Sequence, residues 1–368
     1  MMERRQIVRL WQRGGVSVLV TLVRAEGSSY RQPGARLLLG SDGVYAGTIS
    51  GGCLEAEVIR KAGWMVRGGA VVERYSTMFD DTAEVPFGLG CGGVVDLMLE
   101  PVDTPECRAL LDAMEASLEG VDSMVVNYLP GDGKGLRRVV LRDGVVVFAS
   151  EGLGEKKLAC ATGLRAGEEG EEYEGRFVEE IRAPQRLFVL GAGDDAKPVV
   201  SMAALLGWDV TVADGRGQLA RVERFAEADR VMTLGAGGVG DLGIRATDAV
   251  VVMTHSYEQD REMLAALLPV RPKYLGVLGA RHRSSLLVSE AATMIGESVV
   301  DCCERIYAPV GLDLGGDGPE AIALAVVAEV QAVCMGKLGA SRRLSAEDVA
   351  KHVSEGGVAR YLQAQCAL

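Results

Sequence analysis

The strongest constraint on the fold is the glycine-rich segment GAGDDA at residues 191–196, which follows an apolar stretch and precedes a helical pattern. This Gly-x-Gly-x-x-Ala arrangement between a strand and a helix is the fingerprint of a Rossmann fold. Gly191 permits the tight turn, Gly193 lets a phosphate group approach the backbone, and the small Ala196 lets the helix pack closely on the strand. The free N–H groups and the dipole at the start of such a helix favour a bound anion.

A regular alternation of strands and helices surrounds this segment. Strands rich in Val and Leu, separated by helical patterns, predict a parallel, doubly wound sheet, here a Rossmann-like domain over residues 186–340. The predicted strands are 187–190, 210–213, 230–233, 249–253 and 274–278, and the predicted helices are 196–206, 258–268, 283–295 and 319–335. Asp214 ends the second strand, 21 residues after Gly193, where an acidic residue of such folds binds a ribose hydroxyl.

Residues 1–182 have a different pattern, which predicts a separate α+β domain with many hairpins. Its predicted helices are 7–12, 54–66 and 105–118, and its predicted strands are 16–23, 36–39, 43–46, 71–75, 94–99, 123–129, 136–141 and 145–149. The glutamate-rich stretch 168–180 is typical of a solvated face or linker and marks the boundary. A polar tail at 341–368, with one predicted helix, follows the second domain.

Composition excludes several classes of protein. The net charge is 39 − 51 = −12, which argues against nucleic acid or an anionic membrane as a partner. No apolar run reaches the ~18 residues of a membrane span, and the apolar run 14–23 is better explained as a buried strand than as a signal peptide. The eight cysteines form no Cys-x-x-Cys pair, which argues against structural zinc. We therefore expect a soluble, cytoplasmic protein.

Two cysteines in glycine-rich segments are candidate catalytic residues. Cys53 follows Gly51 and Gly52 at the start of a predicted helix, where the helix dipole and free N–H groups stabilise a thiolate as a nucleophile or soft-metal ligand. Cys91 lies among glycines just before a strand. The alternatives are a buried apolar cysteine in the first case and a plain turn in the second. The sequence does not tell whether the two thiols share one site.

Further candidates follow the strands of the parallel sheet at their carboxyl ends, where open α/β sheets bind ligands. His255 follows the fourth strand, and Arg281 and Arg283 follow the fifth and could hold a phosphate or a carboxylate. Asp313 lies in a loop before the last helix. N-capping and turn chemistry explain these residues equally well. Asp194 and Asp195 place negative charge beside any pyrophosphate, so dinucleotide binding and a scaffold for another ligand both stay open.

Seven segments together resemble the XdhC/CoxI family, the accessory factors of xanthine and carbon monoxide dehydrogenases. They occur in the family's order along nearly the whole chain: GSSYRQPG at 27–34, GGCLE at 51–55, GLGCGG at 88–93, GAGDDA at 191–196, TH at 254–255, LGAR at 278–281 and PVGLD at 309–313. The resemblance implies a protein that binds the molybdenum cofactor, supports exchange of an oxo ligand for sulfur, and delivers the cofactor into the apo-hydroxylase. The segment around Cys91 is similar to the CoxI-like branch.

The resemblance also implies roles for single residues. Cys53 and Cys91 become transient molybdenum ligands or persulfide carriers, since molybdenum is thiophilic. The cofactor-binding candidates are Gly51, Gly52, Glu55, Gly92, Gly93, Gly191, Gly193, Asp214, His255, Arg281, Arg283 and Asp313. The expected cargo is molybdopterin or its nucleotide form, with its phosphate in the Rossmann crevice. The expected partners are a cysteine desulfurase, a second copy of the chain and an apo molybdenum hydroxylase subunit.

Two other functions stay open at this point. The first is an NAD(P)-dependent oxidoreductase with its active site in the crevice, for which His255 is the candidate acid or base, although no Lys or Tyr partner accompanies the fingerprint. The second is a nucleotide-sensing interaction protein without chemistry of its own. The resemblance favours an accessory, cofactor-insertion role over a free-standing catalyst.

Overall fold

The computed structural model describes residues 1–27, 29–76, 94–131, 133–163, 175–235 and 238–339. The described residues pack into two units that divide between Ala183 and Pro184. They are called here the N-terminal unit and the C-terminal unit. The predicted helix in the tail at 341–368 lies outside the described residues.

The first sheet of the N-terminal unit has five antiparallel strands in the order β3-β2-β1-β5-β4. The strands are β1 (Val16–Glu26), β2 (Arg36–Gly40), β3 (Tyr45–Gly47), β4 (Val71–Ser76) and β5 (Val94–Pro101). The sheet is covered on both faces, by α1 (Met2–Arg13) and α3 (Pro105–Leu118) on one side and α2 (Cys53–Met65) on the other. Central β1 is therefore buried on both faces, which explains why its apolar run imitates a signal peptide.

The second sheet has four antiparallel strands in the order β8-β7-β6-β9. They are β6 (Ser123–Tyr128), β7 (Arg137–Arg142), β8 (Val145–Ala149) and β9 (Arg176–Ile181), and α4 (Glu155–Gly163) precedes β9. Neither α4 nor β9 is predicted by the sequence analysis. The prediction of a solvated face or linker is wrong for Arg176–Ile181, because this segment is a strand that pairs with β6. Its Glu179 also forms a buried ion pair with Arg36 of β2.

A second buried ion pair joins the two sheets of this unit. The guanidinium of Arg138, on β7, lies 2.9 and 3.0 Å from the two carboxylate oxygens of Glu100, on β5, and both side chains are completely buried. Arg138 Nε also donates to Asn127 Oδ1 (2.6 Å). The charges are thus fully paired, as buried charges must be to avoid a large desolvation cost.

The C-terminal unit confirms the predicted Rossmann-like sheet. Its parallel strands are β10 (Arg186–Leu190), β11 (Asp209–Asp214), β12 (Arg230–Thr233), β13 (Ala249–Val252) and β14 (Tyr274–Val277). Its α-helices are α5 (Ala196–Leu205), α6 (Tyr257–Leu267), α7 (Arg281–Ile295), α8 (Val299–Cys303) and α9 (Pro319–Cys334). One face packs on α5 and α9 and the other on α6 and α7, which is the two-sided burial expected of Val-rich strands.

The strand order is β12-β11-β10-β13-β14, so it reverses between β10 and β13. Open α/β sheets bind ligands in the crevice outside the carboxyl ends of the strands at such a point. The glycine-rich turn leaves β10 there and residues 253–255 leave β13 there, and we call this place the crevice. Across the described residues, no helix combines the length and the apolar character required to cross a membrane.

Candidate functional site

The first candidate site is the turn that leads into α2. The helix begins at Cys53, and Gly52 before it has φ of +111°, a conformation that favours glycine. The carboxylate of Glu55 accepts hydrogen bonds from the turn on both of its oxygens. The donors are Thr48 Oγ1 (2.5 Å), Ile49 N (3.0 Å), Ser50 N (2.8 Å), Ser50 Oγ and Gly52 N (3.1 Å).

These bonds define the role of Glu55. Burial by itself would raise the pKa of this carboxyl, but hydrogen bonds from Ser50 and Thr48 outweigh burial and lower the pKa to about 2. Glu55 is therefore ionised, with its oxygens engaged by the turn. Glu55 thus positions the backbone at Gly51 and Gly52, and its expected contact with a cofactor stays a prediction.

Tyr30 lies beside this turn and is not among the candidate site residues predicted from the sequence. It belongs to the 27–34 segment and is 76% exposed. Its ring lies against Gly51, since a Cβ built on Gly51 would be 3.9 Å from Tyr30 Cδ1. The signal in the sequence is an aromatic residue within a loop rich in Gly, Ser and Pro, which has no apolar face to pack on.

The other predicted cysteine site is not described. Cys91, Gly92 and Gly93 lie outside the described residues, so its position relative to Cys53 stays a prediction. Three other cysteines are packing residues, because burial raises the pKa of the thiols of Cys107, Cys302 and Cys334. In the described part of the chain, no group of three or more His, Cys, Asp and Glu side chains is placed to hold a metal ion.

The second candidate site is the crevice of the C-terminal unit, where Gly191 and Asp214 come together. Gly191 has φ of +128°, and a Cβ there would overlap the backbone of Met253. Asp214 is fully buried; its carboxylate accepts from Ala192 N (2.7 Å) and lies 2.7 Å from a guanidinium nitrogen of Arg216. Asp214 therefore supports the glycine-rich turn, and the ribose contact expected from the sequence stays a prediction.

Asp195 and His255 also meet in the crevice. His255 Nε2 lies 2.8 Å from Asp195 Oδ2, and the two residues are 60 positions apart in the sequence. His255 has φ of +64°, which is uncommon for a residue other than glycine. Asp194 is engaged elsewhere, 2.7 Å from Lys197 Nζ and 2.8 Å from the Arg224 guanidinium.

The two predicted arginines differ in availability. A guanidinium nitrogen of Arg283 lies 2.7 Å from Oδ2 of the buried Asp260, and another donates to the carbonyl of Leu278 (3.2 Å). Arg283 is thus engaged within the fold rather than free for a phosphate. Arg281 is exposed at the start of α7, and no described residue pairs with its guanidinium. Asp313 is exposed in the loop before α9, likewise without a partner among the described residues.

Family models of known proteins match segments in both units of the chain. Residues 187–330 match the family model for the XdhC Rossmann domain, and residues 10–76 match the model for the XdhC and CoxI family. The chain is 28% identical to a Bacillus subtilis protein named as a probable subunit of xanthine dehydrogenase, over 85% of this chain and 92% of that protein. It is also 28% identical to the Escherichia coli molybdenum cofactor insertion chaperone PaoD, over 87% of this chain and 84% of that protein.

A solved structure is similar as well. A Bacillus halodurans protein described as a xanthine dehydrogenase superposes with a TM-score of 0.78 at 28% identity, over 95% of this chain and 99% of that one. The family models match residues on both sides of the boundary between the two units, and these relatives align with most of the chain. The protein belongs to the XdhC and CoxI family.

Proposed function

We propose that this protein is a maturation factor for a molybdenum hydroxylase of the xanthine or carbon monoxide dehydrogenase type. It binds the molybdenum cofactor as cargo, supports its sulfuration and delivers it to the apo-enzyme. One relative is named a molybdenum cofactor insertion chaperone and another a probable subunit of xanthine dehydrogenase, which supports this role. The observation that carries the proposal is the turn before Cys53, which is hydrogen-bonded to Glu55 and lies beside the exposed ring of Tyr30.

The chemistry of this turn suits the cargo. A thiol at the first position of a helix is favoured as thiolate by the dipole and the free N–H groups, and thiolates bind soft metals. Cys53 is therefore the proposed transient ligand of molybdenum, and Cys91 is proposed as a second. The hydrogen bonds to Glu55 favour one backbone geometry before Cys53, which reduces the ordering needed when cargo binds.

Tyr30 has a proposed role toward the organic part of the cofactor. A pterin is a flat heteroaromatic ring, and stacking between aromatic rings contributes about 0.5–1.5 kcal/mol beyond the area buried. An exposed tyrosine beside the metal-binding turn offers such a surface. In the C-terminal unit, Arg281 is the candidate for a phosphate contact, because its guanidinium is exposed and charged.

The expected partners follow from the role. Delivery requires the apo form of a molybdenum hydroxylase, and sulfuration requires a sulfur source, for which we propose a cysteine desulfurase. A homodimer in the cytoplasm is part of the same proposal.

An oxidoreductase that uses NAD(P) is the second candidate. The observation in its favour is the His255–Asp195 pair, which lies in the crevice where a nicotinamide enzyme would hold its acid or base. The small molecule that copurifies with the protein distinguishes the two candidate functions. A fluorescent pterin with molybdenum supports the first candidate, and a nicotinamide nucleotide supports the second.

The deciding experiment compares Cys53→Ser with the unmodified protein after expression in molybdate-fed cells. Serine preserves the volume of the side chain but lacks the soft thiolate. We expect the variant to retain less molybdenum, measured by mass spectrometry of the metal, and to activate apo-hydroxylase poorly. Cys303→Ser is the matched control, because Cys303 is an exposed cysteine in the other unit. Equal metal content and equal client activation for Cys53→Ser would refute the proposed role.

A further inference from the structure

A carboxylate side chain of the protein itself lies over the glycine-rich turn of the crevice. The side chain of Asp195 folds back over Gly193, so that a Cβ built on Gly193 would overlap Asp195 Oδ1. Gly193 is the residue whose missing side chain lets a pyrophosphate approach the backbone in dinucleotide-binding Rossmann folds. Here the space above Gly193 is occupied by a carboxylate.

The imidazole of His255 holds this carboxylate in place. Nε2 of His255 lies 2.8 Å from Asp195 Oδ2 and 3.8 Å from the Cβ position of Gly193, so the ring borders the same space from the side of β13. His255 itself is fixed by the turn that follows β13. In that turn, Thr254 Oγ1 donates to Asp260 Oδ1 (2.6 Å), and Asp260 Oδ2 pairs with Arg283 (2.7 Å).

The neighbouring aspartate provides an internal comparison. Asp194 precedes Asp195 directly, but its side chain is 83% exposed and pairs with Lys197 and Arg224. Asp195 is only 26% exposed, and its partner is the histidine of the crevice. The two carboxylates therefore have the same charge and nearly the same position in the chain, and only one lies over Gly193.

We propose that Asp195 is a specificity-determining residue that keeps phosphate groups out of the glycine-rich turn. A phosphate in that place would meet the Asp195 carboxylate at close range, and like charges at contact distance repel strongly. The crevice thus disfavours pyrophosphate-containing ligands such as ADP and NAD, although its topology is that of a dinucleotide-binding fold. This exclusion therefore argues against the NAD(P)-dependent oxidoreductase, the second candidate function. This inference holds whether or not the protein handles a molybdenum cofactor.

The test is titration of the full chain with ADP and with inorganic pyrophosphate by calorimetry. Asp195→Ser removes the carboxylate and its volume and leaves a residue suited to the start of a helix. We expect Asp195→Ser to bind ADP at least about tenfold more tightly than the unmodified protein, equivalent to about 1.4 kcal/mol. The matched control Asp194→Ser should bind ADP as the unmodified protein does.

Two further variants make the result specific. Adding Gly193→Val to Asp195→Ser should abolish the gain, because the new side chain fills the space vacated by the carboxylate. If Asp195→Ser does not fold, Asp195→Asn tests the charge alone and should still tighten ADP binding. The proposal is overturned if the folded variant binds ADP no more tightly than the unmodified protein, if Asp194→Ser gives the same gain, or if the gain survives Gly193→Val.

Discussion

Replacing Glu55 by glutamine tests how firmly the turn before Cys53 is held. The pKa of Glu55 is about 2, against an ordinary value of 4.5. This difference corresponds to about 2–3 kcal/mol of stabilisation at neutral pH once screening by nearby solvent is allowed for. Because the pKa is lowered in the folded protein, the stabilisation is present above pH 4.5 and is lost as the pH falls towards 2.

Glutamine cannot reproduce this arrangement. Its amide group has one acceptor oxygen, so its NH2 must face donors that now bond to the second carboxylate oxygen, among them the N–H of Gly52. We expect the backbone amides of Ile49, Ser50 and Gly52 to exchange with solvent about 30- to 150-fold faster at pH 7, which is 2–3 kcal/mol expressed as a rate ratio. Hydrogen exchange of the peptide spanning residues 48–55, read by mass spectrometry, measures this directly.

Glu57→Gln is the matched control for this measurement. Glu57 lies on the same helix two residues later, but its ion pairs are with Arg60 and Lys61 on the helix surface. It should leave exchange at residues 49–52 unchanged. The reasoning is refuted if Glu55→Gln exchanges at the rate of the unmodified protein at pH 7, or if its effect is as large at pH 2 as at pH 7.

Three further predictions concern other described residues. Tyr30→Ala should weaken pterin binding by about two- to tenfold through the loss of stacking, measured by fluorescence titration, whereas Tyr45→Ala, a half-exposed tyrosine elsewhere in the unit, should not. Arg138→Ala should destabilise the N-terminal unit by about 3–5 kcal/mol, because it leaves Glu100 buried without its partner; unchanged urea unfolding would contradict this. Arg281→Ala should weaken binding of a phosphate-bearing pterin by about tenfold to a hundredfold, and equal affinity by calorimetry would remove Arg281 from the site.

Local pattern was sufficient for most of the fold. The bounds of Pro105–Leu118 and Val145–Ala149 agree with the prediction residue for residue. A Thr104 cap and Pro105 mark the start of the helix, and a β-branched and aromatic run after Asp143 and Gly144 marks the strand. The Rossmann-like sheet was predictable because Val-rich strands alternate with helices at regular intervals. The strand Arg176–Ile181 was not, because its glutamates suggest solvent and only the distant Arg36 explains why one of them is buried.

The sequence motifs predicted where the candidate sites lie in the chain, but not which residues contact each other within them. The motifs identified Gly52, Gly191 and His255 as members of the turns that form the two candidate sites. They did not reveal that the carboxylates of Glu55 and Asp214 accept hydrogen bonds from the backbone of the turns. The residue type alone does not distinguish a carboxylate that stabilises a turn from one that contacts a ligand. Asp195 and His255 are 60 positions apart in the sequence and meet because β10 and β13 are neighbours in the sheet. A local sequence pattern does not encode this contact.

The two buried ion pairs of the N-terminal unit determine where the chain can be cut. Glu100 and Arg36 belong to the first sheet, while their partners Arg138 and Glu179 belong to the second. A fragment that ends after α3 would contain every described strand of the first sheet. Arg36 and Glu100 would lose their counter-ions, and the apolar cluster around Leu19 would lose the cover that β6 and β7 provide. We therefore expect the smallest piece that folds by itself to extend through Ile181, and we expect proteolysis between the two sheets to release no stable subfragment.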